Sequence, residues 1–277
     1  MLCIYSGLLI FKHCFKRGMT YINTQKYSDR IHTEVEACLH HNWLVIPVGS
    51  VEQHGINLPL SVDYDIAHAV AEWLCEEAGY VLAPGLTYGA RSLSNSGGGD
   101  RFKGNVYLDG GIYIKVVQNI LTRFIENGAK RILLLNGHYE NYAFLCEAAQ
   151  KADYLKNCNI VVINWWDILT DDYMIKQTKG RFCNWEEEHA GIVETALEMY
   201  LNPSSVKGKM CIEEDGVYKG IYSSHIDCVN SKTGALSSNI GATEEMGEQL
   251  FIKIVEEIRK LTKTFLELER KDNHGNV

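Results

Sequence analysis

The chain has 277 residues, 46% of them apolar and 22% charged, a balance that suits a soluble globular protein and excludes a disordered or fibrous one. At roughly 150 residues per domain, this length gives one large unit or about two small ones, and it buries enough surface to fold without disulfides. The net charge of −8 argues against a broad phosphate-binding surface, and so against nucleic acid as a partner.

Residues 1–18 (MLCIYSGLLIFKHCFKRG) are apolar but interrupted by Lys12, His13 and Lys16. They lack the basic start and small-residue cleavage site of a signal peptide and are too short to span a bilayer. The expectation is that Met19 is the native start, 1–18 being a non-native or disordered extension and 19–277 a single α/β domain. Trp43–Val48 (WLVIPV) is a continuous apolar run, as in a buried parallel strand. Tyr64–Ala78 has helical spacing, with Asp63 or Asp65 as a possible cap and Gly79 as the stop. A short strand is expected over Tyr80–Pro84, a helix over Gly111–Asn127 closed by Gly128, and a second buried strand over Arg131–Leu135 (RILLL). Asn141–Leu155 reads as helix, Ile160–Asn164 as strand, Glu188–Leu201 as helix, and Thr243–Arg270 as a long helix charged on one face. Residues 203–240 read as loops or a short hairpin. The alternation predicts a mostly parallel central sheet flanked by helices, whose ligands sit beyond the carboxyl ends of the strands. The nine cysteines are scattered without a CxxC pair, which fits reduced thiols in the cytoplasm better than a disulfide framework.

The loops after the strands carry metal-binding residue types. Glu52 and His54 follow the first strand, Asp63 stands at a helix start, and His138 and Glu140 follow RILLL. In extended backbone, residues i and i+2 point the same way, so each carboxylate–imidazole pair can converge on one point. Two imidazoles and three carboxylates suit a pair of divalent cations such as zinc or manganese; the lack of a thiolate argues against a structural zinc site. His40, His41 and His68 read as solvated side chains, and His225 with Asp227 as a weak loop pair. Ser94-Asn95-Ser96-Gly97-Gly98-Gly99 lets backbone approach a small ligand closely. It is not a nucleotide fingerprint, since no GKS or GxGxxG follows a strand. In Trp185-Glu186-Glu187-Glu188-His189-Ala190-Gly191, a tryptophan lies beside acid and imidazole groups, which can wall a pocket and carry a proton. At least one of those glutamates is explained by a helix N-terminus alone.

GSVEQHG, LPLSVDYD, NGHYEN and WEEEHAG together resemble the creatininase (creatinine amidohydrolase) family, from about Trp43 to Tyr200. The resemblance implies a creatininase-like layered α/β fold, a homohexamer and a binuclear centre. In that centre Glu52 and His138 hold one ion, His54 and Glu140 the other, and Asp63 bridges them. It implies substrate contacts from Ser96, Tyr139, Trp165, Trp185, Glu186 and His189, and proton transfer by Glu188 and His189. The implied reaction is reversible hydrolysis of creatinine to creatine by hydroxide formed at the metal centre, with His189, oriented by Glu188, protonating the leaving nitrogen. No GxSxG elbow is present. Two positions depart from the family pattern: Glu186 stands where creatininase has Asp, and Lys103 replaces the proline of an FPGT segment. They keep open another small cyclic amide or a formamide as substrate. A non-catalytic binding protein on the same scaffold is the alternative from another class.

Overall fold

The computed structural model describes residues 26–97, 99–154, 157–210, 222–224 and 231–275. The N-terminal extension, Met19, His225 and Asp227 lie outside them. Four strands, β1 (Leu44–Val48), β2 (Val81–Leu82), β3 (Arg131–Asn136) and β4 (Asn159–Asn164), form one parallel sheet in the order β2-β1-β3-β4. In register, Leu44 faces Ile132 and Leu133 faces Val161. Seven α-helices occur among the described residues: α1 (Val35–His41), α2 (Val62–Ala78), α3 (Gly110–Glu126), α4 (Asn141–Ala152), α5 (Asp171–Gln177), α6 (Ile192–Leu201) and α7 (Glu244–Gly275).

The apolar runs are continuous because both faces of the sheet are covered. Val45, Leu133 and Leu135 pack with α2, α6 and α7, whereas Leu44, Ile46, Val48, Ile132 and Leu134 pack with α3 and α4. Pro47 sits in a central strand, where a missing N–H is normally costly. Trp43, Val45 and Pro47 turn their carbonyls to the β2 side, and at Pro47 β2 has already ended, so the lost donor faces irregular chain.

Most boundaries lie within a few residues of expectation. The second strand shrinks to two residues, α1 and α5 were not anticipated, and the described parts of 203–240 are loop with no hairpin strand. The helix expected from Glu188 starts at Ile192, because Ala190 adopts a φ of 54° and Gly191 is extended. The N-cap of α2 is Ser61, not an aspartate: Ser61 Oγ donates to Asp65, and Asp63 is left free for another task. His68 is half-buried and stacks on Tyr64, correcting its assignment to solvent. Cys38, Cys75, Cys146, Cys158 and Cys183 are free thiols. No described helix is long and apolar enough to cross a membrane.

Candidate active site

The carboxyl ends of β1 and β3 bring the two motifs together. Gly137 N–H donates to Val48 O, tying the start of the NGH loop to the end of β1. Three asparagines fix the loop. Asn136 accepts from His138 N–H and donates to Asn164; Asn141 accepts from Ala90 N–H and donates to Gly49 O. The approach is so close that at two glycines any side chain would force a neighbour to move. A β-carbon on Gly137 would stand 2.0 Å from Asp63 O, and one on Gly97 would stand 1.7 Å from Glu52 Oε1.

Glu52, His54, Asp63 and His138 are all buried at this point. Asp63 stands between the two imidazoles. Its Oδ2 is 3.0 Å from His138 Nδ1, and its Oδ1 is 3.2 Å from His54 Nε2. His138 Nδ1 is also 3.0 Å from Glu52 Oε2. The far nitrogen of each ring is committed to a backbone carbonyl: His54 Nδ1 to Glu52 O at 3.1 Å, and His138 Nε2 to Ala90 O at 3.1 Å. Such bonds orient a ligand ring and leave the opposite nitrogen for a cation.

The second carboxylate beside His54 is Glu194 of α6, whose Oε2 is 3.8 Å from His54 Nε2. The resemblance pairs His54 with Glu140, whereas in this structure Glu140 lies beside His138 and the carboxylates beside His54 are Asp63 and Glu194. Residues 138–140 are not extended: Asn141 N–H turns back to His138 O, and Glu140 has helical dihedrals at the start of α4. Glu140 Oε1 accepts from Leu93 N–H and Ser96 Oγ, while its Oε2 lies 3.4 Å from His138 Nε2. Among the described residues the possible ligand atoms form three overlapping groups, Glu52–Asp63–His138, His54–Asp63–Glu194 and Glu52–His54–His189, with Asp63 common to the first two.

The electrostatics show a demand for positive charge. Burial works against an imidazolium at His54, yet Asp63 and Glu194 carry its pKa up to about 10. Burial raises Glu194 to about 7 despite the opposing pull of His54. Burial opposes ionisation of Asp63, but the two imidazoles hold it well below the usual carboxylate range. Glu52 Oε1, His54 Nε2 and Asp63 Oδ2 are buried with no properly directed hydrogen bond. Unsatisfied oxygen and nitrogen donors among surplus carboxylates, without thiolates, fit divalent cations of the zinc or manganese kind.

Above this cluster lies a chamber of about 230 Å³. Ser96, Tyr139, Trp165, Trp185, Glu186, Glu188 and His189 all line it, and so do Asn95, of the Ser94–Gly99 segment, and Trp166, which no sequence motif pointed to. Trp165 meets Trp166 and Trp185 edge-on, and Tyr139 stacks over Trp166. No Lys or Arg lines it among the described residues. Lys103 is exposed and outside the chamber, whereas Glu186 is part of its wall. Glu188 does not orient His189. Its Oε1 accepts from Val193 N–H at 2.7 Å at the start of α6, the favoured place for an anion. Burial, with help from Glu194, pushes Glu188 up to about 8. Burial and His54, whose ring centroid is 4.4 Å away, push His189 down to about 4.

A family model described as creatinine amidohydrolase matches residues 29–262. The creatinine amidohydrolase of Pseudomonas putida is 38% identical over 170 residues, covering 59% of this chain and 65% of that protein. The mycofactocin precursor peptide peptidase of Mycolicibacterium smegmatis is 29% identical and covers 59% of each chain. These matches span under two thirds of the curated relatives' lengths. Among solved structures, a Zn-Zn type creatininase mutant has a TM-score of 0.83 at 30% identity, covering 88% of this chain and 98% of that one. The chain belongs to the creatininase (creatinine amidohydrolase) family.

Proposed function

We propose that the protein is a metal-dependent amidohydrolase that opens the cyclic amide of creatinine to give creatine, reversibly. The observation that carries this reading is the convergence of buried, unsatisfied donor atoms from Glu52, His54 and Asp63 beside a small aromatic chamber, which Glu52 and Asp63 themselves line. Glu52, Asp63 and His138 would hold one divalent cation, zinc or manganese, and His54, Asp63 and Glu194 a second. Bound there, such ions lower the pKa of water and polarise an amide carbonyl.

The chain's own residues do the rest. Trp165, Trp185 and Tyr139 enclose a flat ring and exclude water. Glu186 offers a carboxylate to the N–H groups of an amidine-like ring, and a chamber lined by no Lys or Arg among the described residues admits a neutral or cationic ring more readily than an anionic one. Ser96 holds Glu140 against His138. His189 carries a proton to the departing nitrogen, which is a very poor leaving group as an anion. Glu188 anchors the first turn of α6 and so steadies Glu194.

The second reading, another small cyclic amide or a formamide, is favoured by Glu186. One methylene more than the family's aspartate moves the carboxylate by about 1 Å, enough to change which ring fits. The test is to incubate zinc-loaded and manganese-loaded protein with creatinine and a panel of cyclic amides and formamides. Creatine formation that a chelator abolishes and either metal restores supports the proposal. Turnover of a different amide alone moves the substrate. No turnover by fully loaded protein favours a binding protein.

A further inference from the structure

Gln53 lies between Glu52 and His54, is 4% exposed, and takes no part in holding ions. Its side chain joins four segments that are distant in sequence. Nε2 lies 2.8 Å from Gly97 O, 3.0 Å from Gly234 O and 3.0 Å from His189 Nε2. Oε1 accepts from Gly55 N–H at 3.0 Å. That last bond settles which end of the amide is oxygen, because a backbone N–H can only donate. The 231–236 loop is shaped around the amide: a β-carbon on Gly234, whose φ is +96°, would stand 1.9 Å from Gln53 Oε1.

The NH2 end has two hydrogens and three neighbours able to accept. Two of these are carbonyls of buried glycines, which need partners. Both hydrogens therefore go to Gly97 and Gly234, and none is left for the imidazole. His189 Nε2 also lies 2.9 Å from the backbone oxygen of Gln53, which can only accept. The ring nitrogen must be the donor, so Nε2 carries the hydrogen. In a neutral imidazole the lone pair then belongs to Nδ1. His189 lines the chamber, and Nδ1 is the nitrogen left for whatever binds there.

We propose that Gln53 is a positioning residue: its side-chain bonds to Gly97, Gly234 and Gly55 hold its backbone oxygen against His189 Nε2 and so lock the Nε2–H tautomer, and Nδ1 meets the reacting molecule as a proton acceptor. During hydrolysis, Nδ1 takes a proton from the attacking water as the new C–O bond forms. It returns that proton to the ring nitrogen as the C–N bond breaks, and the imidazole ends neutral as it began. This second step rests on the amidohydrolase reading; the tautomer does not.

The decisive measurement is a two-bond ¹H–¹⁵N correlation spectrum of zinc-loaded, histidine-labelled full-length protein near neutral pH. Of the ten histidines, His189 is identified as the pattern missing from His189→Asn while the others keep their positions. The expected pattern is protonated Nε2 and unprotonated Nδ1. Protonated Nδ1, or both nitrogens protonated, overturns the proposal whether or not any substrate is found. Once a substrate is known, Gln53→Met, which keeps the backbone oxygen but loses the side-chain bonds that hold it in place, should lower kcat by roughly 10–100-fold, the range for removing a supporting hydrogen bond, and leave KM and zinc content unchanged. A rise in KM with kcat preserved, or loss of zinc, would remove Gln53 from the positioning role.

Discussion

Glu198 gives the sharpest test of how the interior of α6 is held. It is fully buried. Its Oε2 accepts from Ser205 Oγ at 3.0 Å, and its Oε1 has no partner. Burial, then the charge of Asp65, raises its pKa from 4.5 to about 7, with Ser205 and His54 pulling the other way. A carboxyl whose folded pKa is raised holds its proton more tightly when folded. Its contribution is present below pH 4.5 and is lost as pH rises towards 7. At 1.36 kcal/mol per unit, ionisation costs the folded state roughly 1 kcal/mol at pH 5 and about 3 kcal/mol at pH 8. Glu198→Gln keeps the shape and the acceptor for Ser205 but never ionises. The variant should therefore gain about 2 kcal/mol on the wild type between pH 5 and pH 8, a relative rise in Tm of roughly 4 °C or more. Thermal melts of both proteins, saturated with zinc at each pH, measure the gap. A gap independent of pH would show that Glu198 is ionised at no cost and refute the reasoning.

Asp63→Ala should lose both ions, since Asp63 places one oxygen beside each imidazole. Elemental analysis should find the variant empty, and a chelator should no longer lower its Tm; wild-type occupancy would remove Asp63 from the ligand set. Gly97→Ala should weaken zinc binding by about 10–100-fold without unfolding the protein, because the new β-carbon, 1.7 Å from Glu52 Oε1, forces that carboxylate to turn away. Competition with a chromogenic chelator reads the affinity, and an unchanged value would mean that Glu52 has room to move and does not bind metal.

The strands were legible because burial on both faces makes a run such as Leu44–Val48 apolar throughout, with no phase to misjudge. Asp63 and the glutamate–histidine pair after β1 were legible from their place beyond a strand end. Glu140 exposes the limit of that argument. A two-residue spacing aligns side chains only while the backbone stays extended, and after His138 the chain has already turned into α4. A tight turn had to be read at Gly137-His138, and the asparagines flanking it were the available sign. Glu194 was missed for a different reason: three glutamates just upstream compete with it for attention, and only the fold carries α6 past His54. Ile192, Val193, Ala196 and Leu197 occupy one side of α6, while Glu194, Thr195 and Glu198 share the other. In the sequence that second side reads as the solvated face of an amphipathic helix, yet every residue from Ile192 to Glu198 is buried. A buried carboxylate needs a partner, and Glu194, one turn nearer the helix start than Glu198, finds it in the imidazole of His54.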